Sequence, residues 1–473
     1  MGYNFRPVER DQQYLLAPSL RDWLPEDDLA WVILDAVEGL DLTSIRERYR
    51  SDGWGAAAYD PAMMVALLLY AYAQGERSSR QIESRCRRDI AYRVISANQL
   101  PDHATIARFR ADHQDALGEL FGQILRLCAE AGLGRLGLVA LDGTKIAAAT
   151  SLSANRSGAG LDAEIARMLA EAAEVDAAED AEHGPDRHGD ELPAELVRRT
   201  DRLARFQTAR RQLAEAEDAA RRQTAGTRRS TRQAAPPAED PERAPGGRRS
   251  RTLLERRQGW TERNPTDPDS RKMKAADGWV QGYNGQVVVA EDGLVLAAEL
   301  SQAANDVRQL RPLIEATRSN LVAAGVRRRI GTLLADAGYW SEVDVTAAEA
   351  SGGPRLLIAP MRPTTAATRP RYPARARMHR RLAGPSGRAR YRRRGAIVEP
   401  VFGELKEVRG ARRFQRRGLA ACQSEWRLLC ATHNLLKLWR HRRTITPGRA
   451  PTDSRPKRRV RSLRQRSPRR RSD

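Results

Sequence analysis

Residues 136–150 read LGLVALDGTKIAAAT, a short apolar run broken by one acid, Asp142, and one glycine, Gly143. Upstream, apolar residues recur at helical spacing. Here the period changes, and the run predicts a strand that ends or bends at Asp142-Gly143. The helical side comprises LAWVILDAVEGL (29–40), PAMMVALLLYAYAQG (61–75) and LGELFGQILRLCAEAGL (117–133). Asp60 and Pro61 form a sound N-cap and first-turn pair. Residues 1–132 are therefore expected to be all helical.

Downstream of the strand, residues 161 to 223 are rich in Ala, Glu and Arg and read as one or two exposed helices or a weak coiled-coil arm. Residues 224 to about 259 are a polar, proline-bearing loop. Together they make a charged insert at about 161–259. Order resumes with YNGQVVVA (283–290) and LVLAAEL (294–300), two strand-like runs flanking Glu291-Asp292-Gly293, a strong hairpin signal. A helix (307–325), a buried strand in RIGTLLADAGYW (329–340), a short helix and the strand RLLIAP (355–360) follow. Residues 361–395 are mostly Arg, Pro, Ala and Gly with no acid. Two helices, AIVEPVFGELKEVRG (396–410) and CQSEWRLLCATHNLLKLWRHR (422–442), close the ordered part. The fold class is thus α+β or α/β: a helical domain at 1–132, a mixed-sheet domain at 133–440 carrying the insert, and a basic tail at 441–473.

Three acids sit where acids are expensive. Asp142 and Asp336 each follow an apolar strand directly, and Glu399 in IVEPVF is expected on the apolar side of a helix. A carboxylate held against a core is costly unless it is paired or binds a metal. Any one of them alone reads more readily as a cap or turn former than as a catalytic group. Together they suit phosphodiester chemistry, in which two Mg²⁺ ions roughly 3.5–4 Å apart serve the attacking and leaving oxygens. Mg²⁺ needs few protein carboxylates, because water and phosphate complete its shell. Gly143 and Gly338 are expected to let a nucleic-acid backbone approach.

The net charge of +22 favours a polyanionic partner, although the tail beyond Trp439 holds about half of the excess. Nearly all the cations are arginine, with lysine only at positions 145, 272, 274, 406, 437 and 457. Lys145, three residues after Asp142, and Lys406, seven after Glu399, are therefore candidate phosphate contacts. PDHATIARFRADH (101–113) starts a basic helix bearing Arg108 and Arg110. Such a helix either enters a DNA groove or is a solvated face. The four cysteines have no zinc spacing, and no apolar stretch is long enough to cross a bilayer. The expectation is a protein of the reducing cytosol, associated with the nucleoid, with no membrane partner.

LDGTK, ADAGY and YRRRGAIVEPVFGELK resemble the three blocks of the DDE transposases of bacterial insertion sequences. The last is similar to their Tyr-Arg-Glu-Lys signature, on which Tyr391, Arg394, Glu399 and Lys406 fall, with Arg392 and Arg393 as alternatives to Arg394. LLLYAYAQGERSSRQIE (67–83), PDHATIARFR, DPDSRKM, GYNGQ and AANDVRQLRPLIE resemble one branch of that family. The resemblance implies an RNase H-like catalytic domain using Asp142, Asp336 and Glu399 as catalytic and metal-binding residues. Two Mg²⁺ ions, replaceable by Mn²⁺, are implied as cofactors. Tyr391, Arg394 and Lys406 would contact DNA with Lys145, Arg108 and Arg110. The implied partners are double-stranded DNA, both terminal inverted repeats and target, and a second copy of the chain in a homodimer. The competing reading is a non-catalytic DNA-binding regulator or decayed transposase; a third is a metal-dependent nuclease without strand transfer.

Overall fold

The computed structural model describes residues 19–50, 57–183, 194–233, 262–275, 278–350, 352–359 and 373–445. Before the first strand the chain is helical: α1 (Leu29–Glu38), α2 (Thr43–Arg46), α3 (Pro61–Ala73), α4 (Ser79–Arg88), α5 (Ile90–Ile95), α6 (His103–Asp112) and α7 (Gln114–Glu130). The α3 helix is apolar on every side and buried from Met64 to Ala73, as such a helix must be. Asp60 caps it through the amides of Ala62 and Met63, which satisfies donors that the first turn leaves open.

The strands are β1 (Leu138–Ala147), β2 (Arg156–Ser157), β3 (Glu262–Arg263), β4 (Arg271–Ala275), β5 (Gly278–Ala290), β6 (Val295–Ser301), β7 (Thr332–Ala335) and β8 (Arg355–Ile358). They form a mixed sheet ordered β4-β5-β1-β7-β8, with β6 also on β5, beside a small β2–β3 pair. β1 is antiparallel to β5 and parallel to β7, and β7 is parallel to β8. The hairpin read at 291–293 is present: β5 and β6 pair antiparallel, and Gly293 takes φ +81°, a backbone conformation that glycine adopts without strain. By contrast, β1 does not end at Asp142-Gly143. It continues to Ala147, because residues 143–147 find partners in β5 at 282–286. Only the β7 side stops early, at Ala140, which leaves the flank of β1 open beside Asp142.

Among the described residues the insert forms two helices, α8 (Gly158–His183) and α9 (Ala194–Gln233), which meet through Leu161, Phe206, Ala209 and Leu213 in a cluster separate from the main core. Helix thus extends ten residues into the segment read as a loop from 224; the rest of that loop, and the break at 184–193, lie outside the described residues. After β6 come α10 (Leu310–Ala323), α11 (Glu342–Ala350), α12 (Pro373–Ala383), α13 (Pro385–Gly403) and α14 (Leu419–Ile445). The Arg-rich stretch before 396 is therefore helical over residues 373–383 and 385–395, anchored by Ala374 and Met378 beside β8 and, further on, by Ile397 and Val398. The α14 helix reaches Ile445, so the tail begins at 446. It packs against α3, α7 and β6, and one apolar core runs from Leu29 to Leu438.

At Pro400 α13 loses a backbone donor, and the chain passes into a π turn, Glu404–Val408. Burial raises the Glu404 carboxyl, but a hydrogen bond and charge from His433, with Arg409 and Arg440, outweigh it and hold the group at about 2. A carboxyl depressed in the fold contributes stability above its unfolded value, near 4.5, and loses it as pH falls through 2. Glu404→Gln is expected to cost up to about 2 kcal/mol at pH 7 after screening, a gap that closes by about pH 2. Urea denaturation of both proteins at pH 7, 4 and 2.5 checks this; a gap independent of pH would contradict it.

Candidate active site

Successive side chains of a strand point to opposite faces. Asp142 points to the face covered by α13 and α14, where its Oδ2 accepts from Arg394 Nη1 at 2.5 Å. On the same face Trp426 of α14 packs against Gly285, the residue paired with Thr144, and donates to the Gln286 carbonyl. Asp336 directly follows β7, the parallel neighbour of β1, and caps the tight turn Ala337–Tyr339 by accepting from the Gly338 amide at 2.8 Å. Both aspartates thus reach the open flank of β1. Burial raises the Asp142 carboxyl above its usual range, Arg394 opposes the rise, and the charge of Asp336 adds to it.

Glu399 differs from its expected placement. Ile397, Val398 and Val401 fill the apolar face of α13, and Glu399, turned about 100° from Val398, is exposed. Its carboxylate lies back along the helix, where a Cβ on Gly395 would be 2.7 Å from Oε1. Among the described residues no three His, Cys, Asp or Glu side chains stand together closely enough to hold a metal ion.

The helix nonetheless runs alongside β1. Arg394 reaches Asp142, and Lys406, twelve residues on, donates to the Lys145 carbonyl at 3.0 Å. Glu399 falls between these two tethers. Of the three candidate arginines, Arg394 is the one on the aspartate; Arg393 pairs with Glu291. Tyr391, one turn before Arg394, is half-buried; burial raises its hydroxyl, with Arg394 and Asp336 both acting on it. Lys145 points to the opposite face from Asp142 and lies 3.9 Å from Asp306.

The α6 candidates separate. Arg108 is exposed. Arg110 turns inward: its guanidinium donates to the Arg77 carbonyl at 2.7 Å, to Tyr72 and to Ser79. It ties α6 to the α3–α4 loop, so the basic character read for that helix is halved.

Four polar residues that sequence reasoning did not single out adjoin the aspartates: Asn284, Gln286, Asp306 and Tyr339. Asn284 and Gln286 are fully buried in β5, between Tyr283 and the apolar run Val287–Ala290. Amides at such positions are costly unless paired, and that was the available signal.

A divalent ion suits the chemistry of Asp142 and Asp336, hard oxygen donors on neighbouring strands whose charges act on each other. A guanidinium already stands against Asp142, as a cation in that place should.

Two family descriptions match the chain: "Transposase domain (DUF772)" over residues 18–112 and "Transposase DDE domain" over residues 250–435. The second segment contains Asp336 and Glu399, while Asp142 lies ahead of it, beyond the insert. No curated protein and no solved structure matches the chain.

Proposed function

Since the chain belongs to the insertion-sequence DDE transposases, we propose that it cuts DNA at the element's terminal inverted repeats and joins the freed 3′-OH to target DNA. The observation that carries this reading is the pair Asp142 and Asp336 at the open flank of β1, with Arg394 on Asp142. The strand order β6-β5-β1-β7-β8, with β1 antiparallel to β5 and parallel to β7, supports an RNase H-like core. Among the described residues no helix is long and apolar enough to cross a membrane.

Asp142, Asp336 and Glu399 would hold two Mg²⁺ ions, with Mn²⁺ able to replace them, and the ions supply activation of the attacking oxygen and stabilisation of the leaving one. The chain's own side chains do the rest. Arg394 neutralises Asp142 in the DNA-free protein and turns to a phosphate once that carboxylate is engaged, a bidentate role for which guanidinium is suited. Tyr391 orients Arg394 from one turn away. Lys145 and Lys406 flank the same strand as phosphate contacts, and Arg108 extends the contact surface onto the helical domain. A homodimer would bridge the two element ends.

The regulator reading draws on one observation, the exposed Glu399 away from any three-ligand group. A cleavage and joining assay on supercoiled plasmid carrying the element ends separates the two. Metal-dependent nicked and joined products support the transposase reading; binding to the ends without product in Mg²⁺ or Mn²⁺ supports the regulator.

Residues 446–473 carry eleven Lys or Arg against two acids. Removing them, rather than 441–473, leaves α14 whole, including Arg442 on Asp35 and Arg443 on Asp27. The expected result is weaker non-specific DNA binding with a salt slope shallower by several units, since each neutralised phosphate contributes about 0.9. Filter binding between 50 and 200 mM salt measures it, and an unchanged slope would remove the tail from the interface.

A further inference from the structure

On the face of the sheet opposite Asp142 lies a polar assembly of which only Lys145 has a part in the chemistry above. Asp306 stands in the loop between β6 and α10. Its Oδ1 accepts from Asn284 Nδ2 at 2.6 Å and Gln286 Nε2 at 2.7 Å, and Lys145 Nζ lies 3.9 Å away. Gln286 in turn accepts from the Tyr339 hydroxyl, at the end of the turn that Asp336 caps. The other oxygen of Asp306 faces that turn: a Cβ on Gly338 would lie 3.5 Å from Asp306 Oδ2 and 3.0 Å from Asp336 Oδ1. One carboxylate therefore braces β5, the strand paired with the one that carries Asp142, and stands against the turn that follows Asp336.

Gly143 belongs to this assembly. A Cβ there would meet Gln286 Nε2 at 2.5 Å, Asp306 Oδ1 at 3.0 Å and Asn284 Oδ1 at 3.1 Å. The glycine after Asp142 makes room for side chains of the protein itself, not for the DNA backbone expected from the sequence.

Nor is the assembly arranged for stability alone. Asn284 commits its amide hydrogens to the Ala303 carbonyl and to Asp306, which leaves its Oδ1 buried without a partner. An unmet buried acceptor is costly, and such departures concentrate where function fixes the geometry. Lys145 and Asp306 keep 15% and 22% of their side-chain surface exposed, so the pair stands at the lip of the site and can be reached from solvent.

We infer that Asp306 is a positioning residue that acts through Lys145, holding its ammonium at the lip of the sheet, on the face opposite Asp142, to meet a phosphate of the DNA being cut. This rests on the proposed function. Burial pushes the Lys145 ammonium towards its neutral form, and the charges of Asp306, Asp336 and Asp142 oppose that.

The test is a double-mutant cycle with Asp306→Asn, which keeps an oxygen for Asn284 and Gln286 while removing the charge, and Lys145→Ala. Each single change is expected to lower the plasmid cleavage rate at least about tenfold with DNA affinity little changed, and the double mutant to be no slower than Lys145→Ala within about threefold. Multiplying effects, or a wild-type rate in Asp306→Asn, overturn the inference and leave the transposase reading standing. A second measurement needs no turnover: amine labelling of the six lysines, read by peptide mass spectrometry. Asp306→Asn should raise labelling of Lys145 several-fold with Lys437 unchanged; equal labelling of Lys145 overturns the link even if the wild type proves inactive.

Discussion

Alanine at Asp142, Asp336 or Glu399 is expected to lower cleavage at the element ends by about a thousandfold or more, since ions held by these carboxylates supply several kcal/mol of transition-state stabilisation and each 1.36 kcal/mol is tenfold in rate. DNA affinity should hold or rise slightly, because affinity comes from Lys and Arg on phosphates and each substitution removes a negative charge. The three are not equivalent. Asp142→Ala also strips Arg394 of its partner, so that variant should bind DNA most tightly. Asp336→Ala removes the oxygen that caps residues 337–339 and should lose stability at roughly the 1 kcal/mol typical of a lost cap. Glu399→Gln alters an exposed side chain and should leave stability within about 0.5 kcal/mol of wild type. Loss of product from a protein that still melts normally would therefore assign Glu399 a chemical role; retained product would remove it from the site. Plasmid cleavage, gel-shift affinity and thermal melting on the same preparations distinguish these outcomes.

What the sequence disclosed follows from which interactions are local. The hairpin at 291–293 was legible because its turn chemistry and flanking runs lie within twenty residues. The placement of Asp336 directly after a strand was legible from the apolar run before it, whereas Asp142, read at a strand end, lies within β1 because residues 143–147 pair with β5 far along the chain. Glu399 was misread in burial: its neighbours Ile397, Val398 and Val401 are buried, and a single helical step decides which face a residue occupies. Asp306 was invisible as a site residue. In AANDVRQL it is one acid in a polar loop, and its importance comes from Asn284, Gln286 and Lys145, twenty to 161 positions away in the chain. The helices at 373–395 were missed because arginine and glycine carry no apolar period, and few of their residues meet the core. Arg110 shows the reverse error, a charge expected to face DNA or solvent that the fold turns onto Tyr72, Arg77 and Ser79.

The join between the helical half and the sheet is where a single substitution should cost most stability. Arg77, in the loop between α3 and α4, donates to Glu425 of α14 at 2.9 Å and to the carbonyls of Arg413 and Gly410 at 2.7 and 2.9 Å. Glu425, with no exposed side-chain surface, also accepts from the amides of Gln415 and Arg416. The same segment pairs alongside the end of β1, with the Ala147 amide donating to the Arg412 carbonyl and the Phe414 amide to the Ala147 carbonyl. Removing one partner of a buried pair costs roughly 3–5 kcal/mol because the other charge stays buried. Glu425→Ala also orphans two backbone amides, so it should fall at the upper end. Against a total of about 5–15 kcal/mol, that lowers Tm by roughly 5 °C for a chain of this size and cuts soluble yield. Replacing both residues together, Arg77→Met with Glu425→Met, should cost less than either single alanine, since no uncompensated charge remains. Because one core spans both halves, each variant should still melt in one transition. A loss below about 1 kcal/mol in Glu425→Ala would mean that the helical half and the sheet are held together by the apolar contacts of α3, α7 and α14 alone, and two separate transitions would mean that the shared core does not couple them.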